Sequence, residues 1–215
     1  EDAAHCLEGL RNNIGVGRLG DIACYSFYAT KSITSGEGGA ITCNDKDIYE
    51  WMIKARQHGL DKDAANRYTQ KYQHYDMEFL GYKFNMSNIQ SALLINQIGL
   101  VDRFLKIKES IAKKYAKGFK DNIYIKLPTA LKNSKHARHL YTIWVNPIKR
   151  DEYLEKIYES GVGVAVNYRS IHLMKYYQKK YGTKYFSFGN ETLSRKFMFA
   201  LAEELEKRGT EAVID

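Results

Sequence analysis

Apolar and polar positions alternate from residue 21 to residue 30, in the segment DIACYSFYAT, and this alternation predicts a β-strand. A second short strand is predicted at 39–43, GAITC, between a glycine-rich turn and the polar pair at 44–45. The pattern then changes to helical spacing. It predicts a helix from Asp45 to about His58, capped by the aspartate and ended by a glycine, with the apolar positions Ile48, Trp51, Met52 and Ala55.

The clearest helical pattern begins at Ser87, a good N-cap residue, and continues to about Phe119. Gly99 is predicted to bend or break this helix, which is long enough to connect two domains. Its apolar positions recur at Ile89, Leu93, Ile95, Ile98, Val101, Leu105, Ile107 and Ile111. The polar, tyrosine-rich segment 60–80 before it shows no period and predicts a long loop, a feature that is often functional in compact domains.

The remaining pattern predicts a smaller α+β unit. Strands are expected at 123–128 (IYIKLP), 139–147 (HLYTIWVNP) and 163–169 (GVAVNYR). A helix is expected at 150–162, with Gly161 at its C-terminus, and another in the charged tail at 201–215. The predicted division of the chain is therefore residues 1–97 in one domain and residues 98–215 as a linking helix with a small domain.

The composition is that of an ordinary globular protein, with 44% hydrophobic and 27% charged residues among 215. No apolar run is long enough to span a bilayer, so no membrane partner is expected. Three cysteines without metal-type spacing predict buried, reduced thiols in a cytoplasmic protein, and no metal site. The formal charge is +8, but basic residues alternate with acids. The favoured interpretation is that these basic residues lie on solvated helix faces. Nucleic acid is not expected as a partner, whereas a phosphorylated small molecule remains a possible one.

A single lysine, Lys31, separates a strand from a loop of small residues in the segment 25–40, YSFYATKSITSGEGGA. Taken alone, such a lysine is ordinarily a surface residue. Here an apolar strand precedes it, while hydroxyls and backbone amides that suit a phosphate follow it. An amine for covalent chemistry beside a phosphate cradle predicts pyridoxal 5'-phosphate (PLP), which also needs an acid at its ring nitrogen. Asp2 is the candidate acid and His5 a candidate ring neighbour, although Asp2 also suits a helix cap.

Four segments together resemble the DegT/DnrJ/EryC1/StrS family of PLP-dependent nucleotide-sugar aminotransferases: EDAAH (1–5), SFYATKSITSGEGG (26–39), RQHGL (56–60) and GYKFNMSNIQSAL (81–93). The resemblance is strong to about Gln97 and looser to about residue 190. It implies an α/β fold of PLP-dependent transferase fold type I, like aspartate aminotransferase. Residues 1–97 would be the C-terminal part of the PLP-binding large domain, with the N-terminal part missing, and residues 98–215 the linking helix and the small α+β domain.

The resemblance also implies roles for the cofactor-binding residues. Lys31 would hold the cofactor covalently and move a proton, while Asp2 would pair with the ring nitrogen. His5 would lie beside the ring and Ser26 would bind the phosphate, unless Ser26 simply faces solvent. Asn85 would reach the phosphate in the neighbouring subunit of a homodimer; an extra helix cap ahead of Ser87 is the other interpretation.

Four further residues are expected on the substrate side: Tyr28, Glu37, Arg169 and His172. The alternatives are that Glu37 only shapes its turn, that Arg169 pairs with an acid, and that His172 is an ordinary packed histidine.

The expected activity is transfer of an amino group from L-glutamate to a keto-sugar of a nucleotide-linked sugar, in amino-sugar or surface polysaccharide biosynthesis. Lys31 argues against the branch of the family that dehydrates sugars, in which histidine replaces the lysine. The alternative is a non-catalytic or regulatory homologue of the same fold, or an inactive fragment.

Overall fold

The computed structural model describes residues 1–61 and 74–182. The chain divides into two compact units, residues 1–146 and residues 147–215. The described elements of the first unit, in chain order, are β1 (Leu10–Arg11), β2 (Ile14–Gly15), β3 (Ile22–Ser26), β4 (Gly39–Cys43), α1 (Lys46–Ala55), α2 (Asn88–Ile98), α3 (Val101–Phe119) and β5 (Ser134–Lys135). Those of the second unit are α4 (Arg150–Glu159), a 3-10 turn (Ile171–Leu173) and α5 (Lys175–Tyr181).

Strands β3 and β4 form an antiparallel pair in which Ile22 lies opposite Cys43 and Ser26 opposite Gly39. Both strands were predicted, although β3 ends at Ser26, before the predicted end at residue 30. The chain turns there because the Ser26 hydroxyl accepts a hydrogen bond from the backbone N–H of Tyr28. Ala23, in the middle of β3, is fully buried and belongs to the small core of this unit.

A tight hairpin that the sequence pattern did not reveal joins β1 and β2. Its two turn residues, Asn12 and Asn13, have φ values of 51° and 64°. Left-handed backbone of this kind suits a two-residue hairpin, and asparagine tolerates it better than most residues. Strand β5 pairs with the other edge of β1, so that three two-residue strands form a sheet in the order β2-β1-β5.

Local side chains cap the starts of α1 and α2, as predicted, although α1 ends at Ala55, before the predicted end near His58. The Asp45 carboxylate accepts the N–H of Ile48 at 2.9 Å and caps α1. Ser87 and Gln90 cap each other's backbone at the start of α2, which forms a capping box. Gly99 ends α2, and α3 begins two residues later, so the predicted break at this glycine is confirmed.

Few of the apolar residues on these two helices are buried within the chain. Leu105 of α3 is 2% exposed, whereas Ile89 and Ile95 of α2 are 80% and 70% exposed. The predicted spacing is present, but the apolar side chains of α2 lie largely on the surface of the described residues.

Three predicted strands are wrong. At 123–128 and 139–147 only one isolated bridge forms, between Lys126 and Trp144. The segment 163–169 forms no strand, because the described part of the second unit, residues 147–182, offers no strand to pair with. A run of β-forming residues is not sufficient when a hydrogen-bonding neighbour is absent.

The second unit contains the predicted helix at 150–162 as α4, followed by Gly161 at φ 79°. The tail helix predicted at 201–215 and most of the loop predicted at 60–80 lie outside the described residues. The described cysteines are free, but Cys24 is exposed and the other two are half-buried, so the prediction of buried thiols is wrong. No helix in 1–61 or 74–182 has the length and apolar character needed to cross a membrane.

The capping box predicts a measurable contribution to stability. Ser87→Ala removes the side chain that accepts the N–H of Gln90, and we expect the free energy of unfolding to fall by about 1 kcal/mol. Urea denaturation followed by circular dichroism measures this change. Ser87→Thr keeps the hydroxyl and should retain most of the stability. Equal stability of the alanine variant and the parent would contradict a stabilising cap.

Candidate active site

Lys31 lies in the turn that follows β3. Its backbone N–H donates to the carbonyl of Tyr28 at 2.9 Å, and the backbone N–H of Ser35 donates to the carbonyl of Phe27 at 3.0 Å. The Ser26 hydroxyl accepts from the Tyr28 N–H at 3.3 Å. These short-range bonds give the segment after the strand a defined course, and Lys31 is half-buried within it.

Lys31 lines a small cleft that is open to solvent. The cleft brings together three of the residues that the sequence indicated for the cofactor, namely His5, Ser26 and Lys31. Its other polar lining residues include Glu8, Ser32 and His139, which the sequence did not indicate. One small cleft therefore combines an amine, hydroxyls, imidazoles and a carboxylate.

Asp2 reaches the same region through backbone pairing. Cys24 donates its N–H to the carbonyl of Glu1, and Ala3 donates to the carbonyl of Cys24, both at 2.9 Å. Asp2 is thereby bridged in parallel to Cys24 of β3. Its carboxylate accepts the N–H of Ala4 at 3.1 Å, and its side chain is not part of the lining of the Lys31 cleft.

Glu37 and Asn85 lie elsewhere, along a wider open cleft. Tyr25 of β3 contributes to the lining of both clefts. Arg56 also lines the wider one, and its Nε atom is buried without a hydrogen-bond partner among the described residues. Tyr28 is 46% exposed and lines neither cleft.

Arg169 and His172 belong to the second unit. The Arg169 guanidinium donates to the carbonyl of Leu173 at 3.2 Å, and the side chain is exposed. His172 lies in the 3-10 turn and is half-buried. The contact of Arg169 is thus with a backbone oxygen rather than with an acid.

Glu8, Lys108 and Ser32 form a connected polar group at the Lys31 cleft. The ammonium of Lys108 donates to Glu8 Oε1 and to Ser32 Oγ, both at 2.7 Å. The Glu8 side chain is 2% exposed and that of Lys108 is 25% exposed. Sequence reasoning missed this group because its members are 76 and 100 positions apart. The available signal was an acid within the otherwise apolar segment Cys6–Leu10.

Helix α2 holds the loop after Lys31 from a second direction. The Gln97 amide accepts the Thr34 N–H at 3.0 Å and donates to the Thr34 carbonyl at 2.8 Å. Gln90, two turns earlier, donates to the carbonyl of Glu37 at 3.3 Å. Two glutamines of one helix thus satisfy backbone groups of the loop that a strand partner would otherwise satisfy.

The rings of His5 and His139 lie against each other at the cleft in a tilted arrangement, with centroids 4.1 Å apart and planes inclined by 35°. Burial lowers the pKa of His139 below its ordinary value, and the nearby charges of His5, Lys31 and Lys108 lower it further; Glu8 acts in the opposite direction. Desolvation and these cations both favour a neutral His139, which at neutral pH offers one N–H donor and one acceptor.

The residues of the cleft fit a phosphorylated aldehyde cofactor. Lys31 supplies the primary amine, and Ser26 supplies a hydroxyl whose oxygen accepts from the Tyr28 N–H and whose proton is a possible donor. His5 supplies an aromatic ring on the same cleft. Asp2 is paired with the adjacent strand, two residues from Ala4 and three from His5. This set of donors is suited to PLP.

The chain belongs to the DegT/DnrJ/EryC1/StrS aminotransferase family, which it matches over residues 1–215. Relatives include the spore coat polysaccharide biosynthesis protein SpsC of Bacillus subtilis, 34% identical over 88% of this chain and 50% of its own length. Another is a UDP-4-amino-4,6-dideoxy-N-acetyl-beta-L-altrosamine transaminase of Campylobacter jejuni, 32% identical over 85% of this chain and 47% of its own length.

A solved structure gives the same assignment of fold. The putative sugar aminotransferase Spr1654 of Streptococcus pneumoniae, in its PMP form, superposes with a TM-score of 0.78 at 25% identity. The match covers 91% of this chain and 50% of that one. The fold is therefore PLP-dependent transferase fold type I, as predicted. The chain spans about half the length of the relatives that it matches.

The surroundings of His139 predict how it titrates. We expect its ring to lose its proton below the ordinary pKa of 6.5 because burial and neighbouring cations disfavour the charged form. Lys31→Met removes one of these cations and should move the midpoint upward. Titration of the imidazole C2 proton by NMR measures both values. Lys114→Met, on the exposed side of α3, is the matched control and should leave the midpoint unchanged.

The lowered pKa of His139 determines how the stability of the folded chain depends on pH. Because the pKa of His139 is lower in the folded chain than in the unfolded chain, the unfolded state binds more protons. This histidine therefore makes the folded state less stable as the pH falls through its unfolded pKa of about 6.5 toward its folded pKa. A titration midpoint at or above 6.5 would contradict the assigned environment.

Proposed function

We propose that this chain supplies the cofactor-anchoring lysine of a PLP-dependent aminotransferase. The proposed reaction transfers an amino group from L-glutamate to a keto-sugar carried on a nucleotide. The observation that carries this proposal is the cleft shared by His5, Ser26 and Lys31, three residues from two separate segments of the chain. Family membership and the transaminase activity named for the Campylobacter jejuni relative support the same reaction class.

Three residues of the cleft, together with Asp2 outside its lining, have defined tasks in this proposal. Lys31 would hold the cofactor through its amine and would carry a proton to and from the substrate carbon. Ser26 donates its hydroxyl proton to a phosphate oxygen, and Asp2 holds a proton on the ring nitrogen. His5 lies beside the ring. When bound, the cofactor supplies the electron-withdrawing ring that stabilises charge on the substrate carbon.

The substrate is proposed to be a nucleoside diphosphate sugar. The net charge of +8 favours an anionic substrate, and Arg169 is an exposed guanidinium that suits a diphosphate. Tyr28, Glu37 and His172 are proposed as further contacts of the sugar nucleotide. Asn85 is proposed to reach the cofactor phosphate of a second subunit in a homodimer, and the cytoplasm is the proposed compartment.

Cofactor binding is tested on the intact protein. After incubation with PLP we expect absorbance in the near-visible, and borohydride should fix the cofactor to the peptide that contains Lys31. Lys31→Ala should lose both signals because no amine remains to bind the aldehyde, whereas Lys106→Ala should keep them. A parent protein that stays colourless with added PLP would overturn the enzyme assignment and favour a non-catalytic homologue of the same fold.

Substrate class is tested with a panel of UDP- and dTDP-linked keto-sugars. We expect an aminated sugar nucleotide with L-glutamate as donor, detected by mass spectrometry together with 2-oxoglutarate. Arg169→Ala should raise KM for the sugar nucleotide more than for glutamate, since a guanidinium on the diphosphate contributes to binding of that substrate alone. A protein that binds PLP but aminates none of these sugars would contradict the proposed substrate.

A further inference from the structure

Three segments of the chain converge on the ammonium of Lys108. Glu8 follows the EDAAH segment, Ser32 follows Lys31, and Lys108 lies in the second turn of α3. Both acceptor oxygens are 2.7 Å from Lys108 Nζ, which is short for a hydrogen bond and typical of a charge-assisted one. The contact with Glu8 is also an ion pair.

Burial fixes where this ammonium lies. The Glu8 side chain is 2% exposed, and a carboxylate so far from water requires a cation and hydrogen-bond donors nearby. Lys108 provides both. A lysine has a long and flexible stem, but here the buried carboxylate selects one position for its ammonium. The remaining donors of the ammonium are then directed at a fixed location, and one of them reaches Ser32.

The contact with Ser32 acts on the neighbouring residue, Lys31. Ser32 is half-buried, and the next residue, Ile33, is 4% exposed. On the other side, the backbone N–H of Lys31 is bonded to Tyr28. The Lys31 backbone is therefore held on both sides, by its own turn and by a side chain from α3. Loss of the Ser32 contact would leave the turn and the bonds between Gln97 and Thr34 as restraints on this segment, without a contact from α3 to the residue next to Lys31.

We propose that Lys108 is a positioning residue for Lys31, with Ser32 as the connecting group and Glu8 as the anchor of the ammonium. The hydrogen bond to Ser32 fixes the backbone from which the Lys31 side chain extends into the cleft. Lys108 itself need not touch cofactor or substrate. This inference rests on the proposed function in so far as Lys31 is the cofactor lysine.

The decisive variant is Ser32→Ala, because it removes the connecting hydroxyl while the Lys108–Glu8 ion pair stays intact. Hydrogen exchange of the segment 28–35, measured by mass spectrometry on the cofactor-free intact protein, should become faster by about fivefold, the change expected for loss of one hydrogen bond. The rate at which PLP is fixed to Lys31 under borohydride should fall as well. We expect kcat to fall by about tenfold with KM for the sugar nucleotide nearly unchanged, because the reacting amine is misplaced.

Lys108 is tested by rescue. Lys108→Met should show the same two changes and also lower the free energy of unfolding, since Glu8 is left buried without a partner. Lys108→Arg retains a cation that can donate to both acceptors and should recover most of the exchange protection and of the PLP fixation. The matched controls are Lys106→Met and Ser110→Ala, both on the exposed side of α3, which should behave as the parent.

The outcomes separate the two proposals. Parent-like exchange or parent-like PLP fixation in Ser32→Ala would overturn the positioning role, as would failure of arginine to rescue Lys108→Met. A parent protein that takes up no PLP would overturn the proposed function instead. The exchange comparison, which needs no cofactor, would still show whether Lys108 restrains the segment.

Discussion

The parallel pairing of Glu1–Ala3 with the middle of β3 is the constraint on which the site depends. Two backbone hydrogen bonds, from Cys24 to Glu1 and from Ala3 to Cys24, fix the register between these segments. A shift by one residue would exchange the faces on which neighbouring side chains project. Asp2 and His5 on one segment and Ser26 and Lys31 on the other are placed relative to one another by this register.

A second layer of contacts comes from the helices. Gln90 and Gln97 of α2 bond to the loop after Lys31, and Lys108 of α3 bonds to Ser32. These contacts differ in their sensitivity to the surroundings. The amide contacts are neutral, whereas the contact through Lys108 depends on a buried carboxylate, and the charge of Lys108 also lowers the pKa of His139. The loop of the site is therefore held partly by neutral hydrogen bonds and partly by charged ones.

The sequence was sufficient where structure is decided locally. Asp45 and Ser87 cap their helices, Gly99 ends α2, and the alternation at 21–30 indicates β3, because each signal involves residues within a few positions. It failed at 163–169, where the described residues offer no partner strand, and at 123–128 and 139–147, where the pairing is limited to the bridge between Lys126 and Trp144. Family resemblance placed His5, Ser26 and Lys31, which share one cleft. Glu8, Lys108 and His139 were missed because their contacts depend on how distant segments fold together, and no spacing in the sequence records that.

The bidentate bond between Gln97 and Thr34 has a consequence for ligand binding. A loop that orders only when a ligand arrives must lose backbone entropy at that moment, and the loss weakens binding. Here the amide of a helical residue already occupies both the donor and the acceptor of the Thr34 backbone, 63 positions away in the sequence. Folding has therefore already met that entropic cost, and a ligand entering beside Lys31 encounters a loop whose conformation is set in advance.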